Sequence, residues 1–221
     1  MTRFVATTIA VLAFGLAACS SVVEPVRYAS VSVANGTGAP LSVKVDGVDV
    51  LAAQVPSGVS RVMMIPEGLH QVQLLDAADN GAVVSVKGIA DTAHTVVAYP
   101  RIIAGATTGI STSVLADTGS IVPTGKSKLR VAHLAANAGN IEIWRSQPDF
   151  PSGVHIMTPF PYQATSPYLQ SDPGTWEVWL TAPGSTVRTV SSGPIQIPSG
   201  ERRTVLLLDG ASGPRFTVVT E

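Results

Sequence analysis

Side chains of the types used for catalysis and metal binding are few in this chain of 221 residues. The four histidines, His70, His94, His133 and His155, are far apart in the sequence, and none forms a close pair. Zinc sites use His, Cys, Asp and Glu at short spacings. The acidic stretch 76–81 lacks the alternating oxygen ligands and final Glu of a calcium loop and is typical of a hairpin turn. The sequence therefore predicts no metal site and no cofactor.

Motifs for nucleophilic or phosphate chemistry are missing from the sequence as well. No Gly-x-Ser-x-Gly elbow and no Gly-rich phosphate loop precedes a helix. Asp149, Asp172 and Glu177 lie in one region, but glycoside chemistry needs two carboxylates about 5–9 Å apart, and nothing in the sequence pairs them. We predict a non-catalytic protein. A hydrolase whose site is assembled across a domain boundary is the weaker alternative.

His133 is a candidate binding residue with two interpretations. It shares a predicted strand face with Leu129 and Val131. As a functional residue it would bind a ligand or transfer a proton. As a structural residue it would be half-buried, with its ring bonded to a backbone carbonyl that orders the following loop. The structural interpretation is favoured, because a lone histidine without a partner is weak evidence for catalysis.

Aromatic residues are concentrated in the second half of the chain, which contains all three tryptophans. Exposed aromatics on a proline-stiffened loop form stacking surfaces for sugars or proteins. The candidate ligand-binding residues on such a loop, in addition to His133, are Trp144, Phe150, Phe160, Tyr162 and Tyr168. The alternative is that the second half has a larger core and a stiff crossover. Trp176 and Trp179 stand three apart on a predicted strand and should face opposite sides of it.

Composition and periodicity indicate an all-β protein. Charged residues make up 13% of the chain and the formal net charge is −1, which excludes a charge-driven nucleic-acid binder. Hydrophobic residues make up 45%, which excludes disorder. Short alternating segments such as 41–45 and 129–134 are typical of half-buried strands. Turn dipeptides such as Asp46-Gly47 separate them. No segment after the N-terminal leader has a sustained helical period.

The two halves of the sequence repeat one plan. Asn35 matches Asn137, Gly68 matches Gly174, and Thr95 matches Thr204, with an offset that drifts slowly along the chain. Such a drift is expected of a duplication with loop insertions. About seven short strands per repeat suit an immunoglobulin-like or transthyretin-like β-sandwich. We therefore predict two tandem sandwich domains, 28–117 and 128–221, joined by the linker 118–127.

Several segments of the second half resemble a known family. They are Lys128–Leu134, Asn137-Ala138, Ile141–Trp144, Pro173–Val178 and Gly200–Leu208. Together they are similar to the family called domain of unknown function 4397, whose members are secreted or lipid-anchored bacterial proteins, often with tandem copies. The resemblance covers most of residues 28–221 and is stronger in the second half, since the first half has no histidine matching His133. It implies a β-sandwich at the cell envelope and no particular reaction.

The N-terminal segment predicts where in the cell the protein is located. Arg3 precedes an apolar run that is too short to span a bilayer and matches a secretory signal. The run ends at Leu16-Ala17-Ala18-Cys19, which resembles a bacterial lipobox. This resemblance implies a signal peptide at 1–18, lipidation of Cys19, and a tether at 19–27. Ser20 stands where an inner-membrane retention signal would carry Asp, which favours the outer membrane.

These features predict a lipid-anchored envelope protein that acts as a binding or structural module. Its partners would be the membrane, reached through the N-terminal lipid, and an envelope polysaccharide or another envelope protein. Nucleic acid is not expected. The main alternative is a carbohydrate-binding or carbohydrate-processing envelope protein that uses the aromatic-rich loop of the second domain.

The anchor can be tested directly. Replacing Cys19 with serine should release the protein from membranes or leave it unprocessed, because acyl chains on this sulfur and on the new amino group provide the stable attachment. Metabolic labelling with a palmitate analogue should mark the wild-type protein and not the Cys19→Ser variant. A wild-type protein that takes up no label would contradict the lipobox assignment.

Overall fold

The structure of the protein is a computed structural model that describes residues 24–55, 58–103, 106–117, 121–147, 153–210 and 212–220. Within these residues the chain is nearly all β-strand, with one short 3-10 helix at Ala136–Ala138. The all-β prediction is confirmed. No helix in these ranges is long and apolar enough to cross a membrane. The predicted signal peptide and Cys19 lie outside the described residues.

The first half of the chain forms a sandwich of two sheets. Sheet A contains, in spatial order, β4 (Gly58–Val59), β1 (Tyr28–Asn35), β8 (Ala93–Ile103) and β9 (Ala106–Ala116), and β5 (Met63–Pro66) also pairs with β1. Sheet B contains β3 (Val48–Val55), β2 (Leu41–Val45), β6 (Gly68–Leu75) and β7 (Gly81–Gly88). Strands β1 and β8 are parallel. Alternate apolar residues, among them Val33, Val43 and Leu74, are fully buried between the sheets.

The second half forms a second sandwich. Sheet C contains β13 (Leu169–Ser171), β10 (Ser127–His133), β16 (Arg202–Gly210) and β17 (Gly213–Thr220). Sheet D contains β12 (Val154–Phe160), β11 (Ile141–Ser146), β14 (Gly174–Thr181) and β15 (Val190–Ile197). Strands β10 and β16 are parallel, as β1 and β8 are in the first sandwich. Ile143, Phe160 and Leu207 are fully buried between the two sheets.

The two sandwiches have the same strand order, which supports the predicted repeat. Strand register corrects one of the matches made from sequence. Asn35 pairs with Ala98 and His133 pairs with Leu207, at the ends of the two parallel strand pairs. Asn35 is therefore the counterpart of His133, and the match to Asn137 was wrong. The cause is the loop after β10, which spans 134–140 where the loop after β1 spans 36–40.

Sheets A and C pack face to face and join the two sandwiches into four layers. Residues on the outer face of each sheet form a third apolar cluster, which contains Ala34, Val97 and Tyr99 from the first half and Leu134, Leu206 and Leu208 from the second. Polar contacts close its edges: Arg202 Nε lies 2.7 Å from Asp117 Oδ2, and Tyr162 Oη donates to the Pro100 carbonyl over 2.9 Å. The central strands of both sheets are consequently buried on both faces.

Five strands, namely β3, β4, β12, β13 and β15, occupy segments where the sequence analysis identified no strand. β12 runs through the stretch 144–168, which was expected to be one aromatic loop, and β15 spans Val190–Ile197. Both are edge strands of sheet D, and each contains a proline, Pro159 in β12 and Pro194 in β15. An edge strand tolerates proline because one side of its backbone forms no ladder hydrogen bonds. The prolines therefore masked the strand pattern.

The interface between the sandwiches should contribute strongly to stability. Leu206 is fully buried in it, so Leu206→Ala is expected to lower the free energy of unfolding by about 2–5 kcal/mol. Leu69→Ala is the matched control, because Leu69 is 69% exposed on sheet B, and it should change that free energy by less than about 0.5 kcal/mol. Urea unfolding followed by tryptophan fluorescence measures both. Equal effects of the two substitutions would contradict a packed interface.

Candidate functional site

The outer face of sheet D differs sharply from the equivalent face of sheet B. In the first sandwich, β2 and β6 place half-buried polar residues there, including Lys44 opposite Gln73. In the second sandwich the equivalent pair is Trp144 opposite Trp179. Trp179 is only 7% exposed, and Trp144 is half-buried. The two repeats therefore have similar cores but different side chains on this outer face.

The two tryptophans are fixed in a stacked pair. Their ring centroids are 5.3 Å apart and the ring planes differ by 19°. Trp144 Nε1 donates to Thr181 Oγ1 over 3.0 Å, and Trp179 Nε1 donates to Ser146 Oγ over 3.2 Å. Gly153 lies against the pair, since a Cβ at this position would be 2.6 Å from a Trp179 ring carbon. Stacking, hydrogen bonding and this close backbone contact together hold the rings in one orientation.

His155 and Glu142 extend the cluster at one end of the tryptophan pair. In the first sandwich the corresponding cross-strand contact is an ion pair, Lys44 to Asp49 at 3.8 Å. In the second sandwich the His155 ring lies edge-on to Trp144, with centroids 3.5 Å apart. Its Nε2 is 3.4 Å from Glu142 Oε2. The other carboxylate oxygen of Glu142 accepts the Gly184 N–H over 3.0 Å, so this buried carboxylate has two partners.

Glu177 and Arg188 lie at the other end of the tryptophan pair. Arg188 Nη1 lies 2.9 Å from Glu177 Oε1, and the Arg188 guanidinium is 5.6 Å from the centre of the Trp179 ring. Ser191 also donates to Glu177. Glu177 is opposite Ser146, four residues along β11 from Glu142. The backbone positions of the two glutamates are therefore roughly 13 Å apart along the strand direction.

The structure separates the aromatic residues that the sequence grouped in one loop. Only Trp144 lies on the outer face of sheet D. Phe160 is fully buried in the second core, and its burial removes it from the candidate ligand contacts. Tyr162 lies in the interface between the sandwiches, edge-on to Tyr99 at 6.0 Å. Tyr168 lies 4.5 Å beneath the Arg130 guanidinium. Phe150 is outside the described residues.

No flat aromatic platform forms in the described part of the second half, where every aromatic side chain is buried or half-buried. Trp176 and Trp179 do face opposite sides of β14, as predicted: Trp176 packs against the core, and Trp179 stacks on the outer face.

The His133 side chain is fully buried rather than half-buried, and Nε2 lies 3.3 Å from the Gly139 carbonyl in the following loop. Its counterpart Asn35 also bonds a carbonyl of the loop that follows it, because Asn35 Nδ2 donates to the Ala39 carbonyl over 2.6 Å. Burial lowers the pKa of His133, against smaller raising effects of the Gly139 carbonyl and Asp209. The ring is therefore neutral at neutral pH and inaccessible to a ligand.

Sequence reasoning missed the polar partners of the tryptophan pair, namely Glu142, His155 and Arg188. The signal that could have found them is the repeat itself. Aligning β2 with β11 and β6 with β14 shows tryptophans at the positions of Lys44 and Gln73. Within the described residues, no group of three or more His, Cys, Asp and Glu side chains could hold a metal ion. The acidic stretch after β6 is a hairpin turn, in which Asp76 accepts the N–H groups of Ala78 and Asn80.

Comparison with known protein families identifies the family to which the chain belongs. A family described as Domain of unknown function (DUF4397) matches residues 29–144. The chain belongs to this family. The DUF4397 match covers the first sandwich and the first two strands of the second, whereas the sequence resemblance was expected to be stronger in the second half. The fold expected from the resemblance, a β-sandwich, agrees with the structure.

Solved structures similar to this DUF4397 protein are distant. One is the Bacillus anthracis TIE protein, with 12% identity and a TM-score of 0.26 over 86% of this chain. Another is a leucine-rich repeat protein from Bacteroides thetaiotaomicron, with 9% identity and a TM-score of 0.21, also over 86% of this chain. The chain spans 34% and 27% of the lengths of these two proteins. No curated protein matches the chain.

Buried neutral histidines should make stability depend on pH. Burial lowers the pKa of both His94 and His133, so below about pH 6.5 the unfolded chain binds protons that the folded protein does not. Stability should therefore fall as the pH falls from about 7.5 to about 5.5, by up to about 1.4 kcal/mol per pH unit for each histidine. Urea unfolding at the two pH values measures this loss.

The control variant is His133→Asn, which places in the second sandwich the residue that the first sandwich uses at the equivalent position. It should reduce the loss of stability on acidification and leave the part due to His94. A loss as large as that of the wild-type protein would show that His133 is not the titrating group.

Proposed function

We propose that the protein is a non-catalytic module, attached by lipid to the cell envelope, that holds a partner through its second sandwich. The attachment is supported by the lipobox-like sequence before Cys19. The tether leads directly into β1 at Tyr28, so the point of attachment is at one end of the first sandwich. The proposed location is the outer membrane, which Ser20 favours.

The observation that carries this proposal is the apolar cluster shared by sheets A and C. It buries Leu206 and Leu208 of the second sandwich against Val97 and Tyr99 of the first. Interfaces between domains are usually more polar than this and allow relative motion. A buried apolar interface with an ion pair at its edge keeps the second sandwich in a fixed position relative to the tether. Such a body suits a spacer or binding module.

The tryptophan face of sheet D is the proposed contact with the partner. Trp144 is half-buried. The side chains of His155 beside Trp144 and of Arg188 beside Trp179 are 41% and 51% exposed. A stacked indole pair flanked by a cation and a histidine offers both apolar contact and hydrogen bonds. The partner is proposed to be another envelope protein or an envelope polysaccharide. Of these two, the polysaccharide is favoured by the fixed orientation of the stacked rings.

The contact is tested with Trp144→Ala and its matched control Lys44→Ala, which changes the equivalent position of the first sandwich. Trp144→Ala should lower the free energy of unfolding by about 1–3 kcal/mol, because a half-buried stacked ring is lost. It should also weaken retention on immobilised envelope polysaccharide or outer-membrane protein by about tenfold. Lys44→Ala should leave both quantities unchanged.

Retention is measured under conditions in which circular dichroism shows the variants to be folded. Unchanged retention of a folded Trp144→Ala protein would contradict a role of this face in binding. Equal losses for both variants would indicate that the effect is not specific to the second sandwich.

A further inference from the structure

An open cleft lies between the two sandwiches, away from the tryptophan face. Its volume is about 610 Å³, and loops from both halves line it. This size is within the range of small-molecule binding sites, which occur preferentially at domain interfaces. The side chains that carry its polar groups are Thr37, Thr107, Asn137, Asp209 and Arg215.

The cleft is at the end of the molecule opposite the tether. Thr37 follows the end of β1, Asn137 follows the end of β10, and Asp209 lies at the end of β16. The tether enters at the other end of β1, and the eight residues of this strand span roughly 26 Å. Loops at one end of a β-sandwich scaffold are a common location for binding sites, because the sheets fix them in position.

The charges at this end favour an anion. The loops 36–40 and 134–140 contain no charged residue. Asp209 uses one carboxylate oxygen to accept the N–H of Ala136 and the other to accept that of Asn137, at 2.9 and 3.2 Å, so donors already surround its negative charge. Among the described residues Arg215 has no carboxylate within ion-pair distance. Its charge is therefore available to a ligand.

Arg215 is held in place for such a role. Its Nη1 donates to Thr217 Oγ1 over 3.1 Å. Its aliphatic stem lies across Gly210, since a Cβ at position 210 would be 3.0 Å from Arg215 Cδ. A guanidinium with a fixed stem loses little entropy when it forms a paired hydrogen bond with a carboxylate.

The rest of the lining suits a saccharide better than a peptide. Thr37, Thr107 and Asn137 offer hydroxyl and amide groups, and each Asp209 oxygen has a second lone pair that can accept a hydroxyl. Apolar lining is limited to small groups such as Ala39 and Pro100, which form no pocket for peptide side chains. We propose that this cleft binds an acidic saccharide of the uronic-acid class, with Arg215 pairing with the sugar carboxylate and the neutral polar groups bonding its hydroxyls.

The test uses the full-length lipid-bearing protein in detergent micelles and isothermal titration calorimetry with trigalacturonate. This trisaccharide should bind, and a neutral galactose trisaccharide should bind about tenfold more weakly or not at all.

Arg215→Gln should weaken trigalacturonate binding by about tenfold or more. Gly210→Ala keeps every charge but places a Cβ 2.9 Å from the Gly213 carbonyl oxygen and 3.0 Å from Arg215 Cδ, so it should displace both and also weaken binding. Arg101→Gln removes a nearby charge that does not line the cleft, and it should have little effect.

Several results would overturn the proposal. They are absence of trigalacturonate binding to the wild-type protein, equal affinity for the neutral trisaccharide, and unchanged affinity of a folded Arg215→Gln variant. A tri-glutamate peptide that binds as tightly as trigalacturonate would overturn the assignment to a saccharide. None of these results bears on the lipid anchor or on the tryptophan face, so this proposal and the proposed function can fail separately.

Discussion

The architecture depends on the burial of two parallel strand pairs on both faces. In β16, Val205 and Leu207 face the second core, while Leu206 and Leu208 face the other sandwich. A strand in this position has no face that can be polar, so it reads as a continuous apolar run rather than an alternating one. The same requirement applies to β8. Packing these sheets against each other makes the sandwiches one body and creates the cleft at the ends of the strands.

Each parallel pair ends at a buried polar residue that controls the next loop. In the first sandwich this residue is Asn35 and in the second it is His133, and each bonds a carbonyl of the loop that follows. A buried polar side chain is stable only with such a partner. The two residues are chemically different, but each holds the loop that follows it through a bond to a backbone carbonyl. The two loops differ in length. These loops form opposite walls of the cleft, so its shape depends on both side chains.

Most of the fold could be predicted from sequence because core strands have a clear pattern. Strands such as β2 and β7 alternate cleanly, and the turn Asp46-Gly47 marks the end of β2 with positive φ angles of 51° and 81°. The edge strands β12 and β15 could not be predicted, because proline and exposed residues are acceptable there. The contacts of the aromatic residues could not be predicted either. Phe160 and Tyr162 are two residues apart, yet one lies in a core and the other between sandwiches.

The position of β1 determines how the protein responds to pulling. β1 begins at Tyr28 and is hydrogen bonded to β8 along one side and to β5 near its start on the other. A force applied to the chain before Tyr28 acts along the strand, whereas the ladder bonds run across it. The bonds are therefore loaded together in shear and cannot open one after another from the end. A pull applied at Tyr28 along the chain would therefore load the whole pairing of β1 with β8 at once.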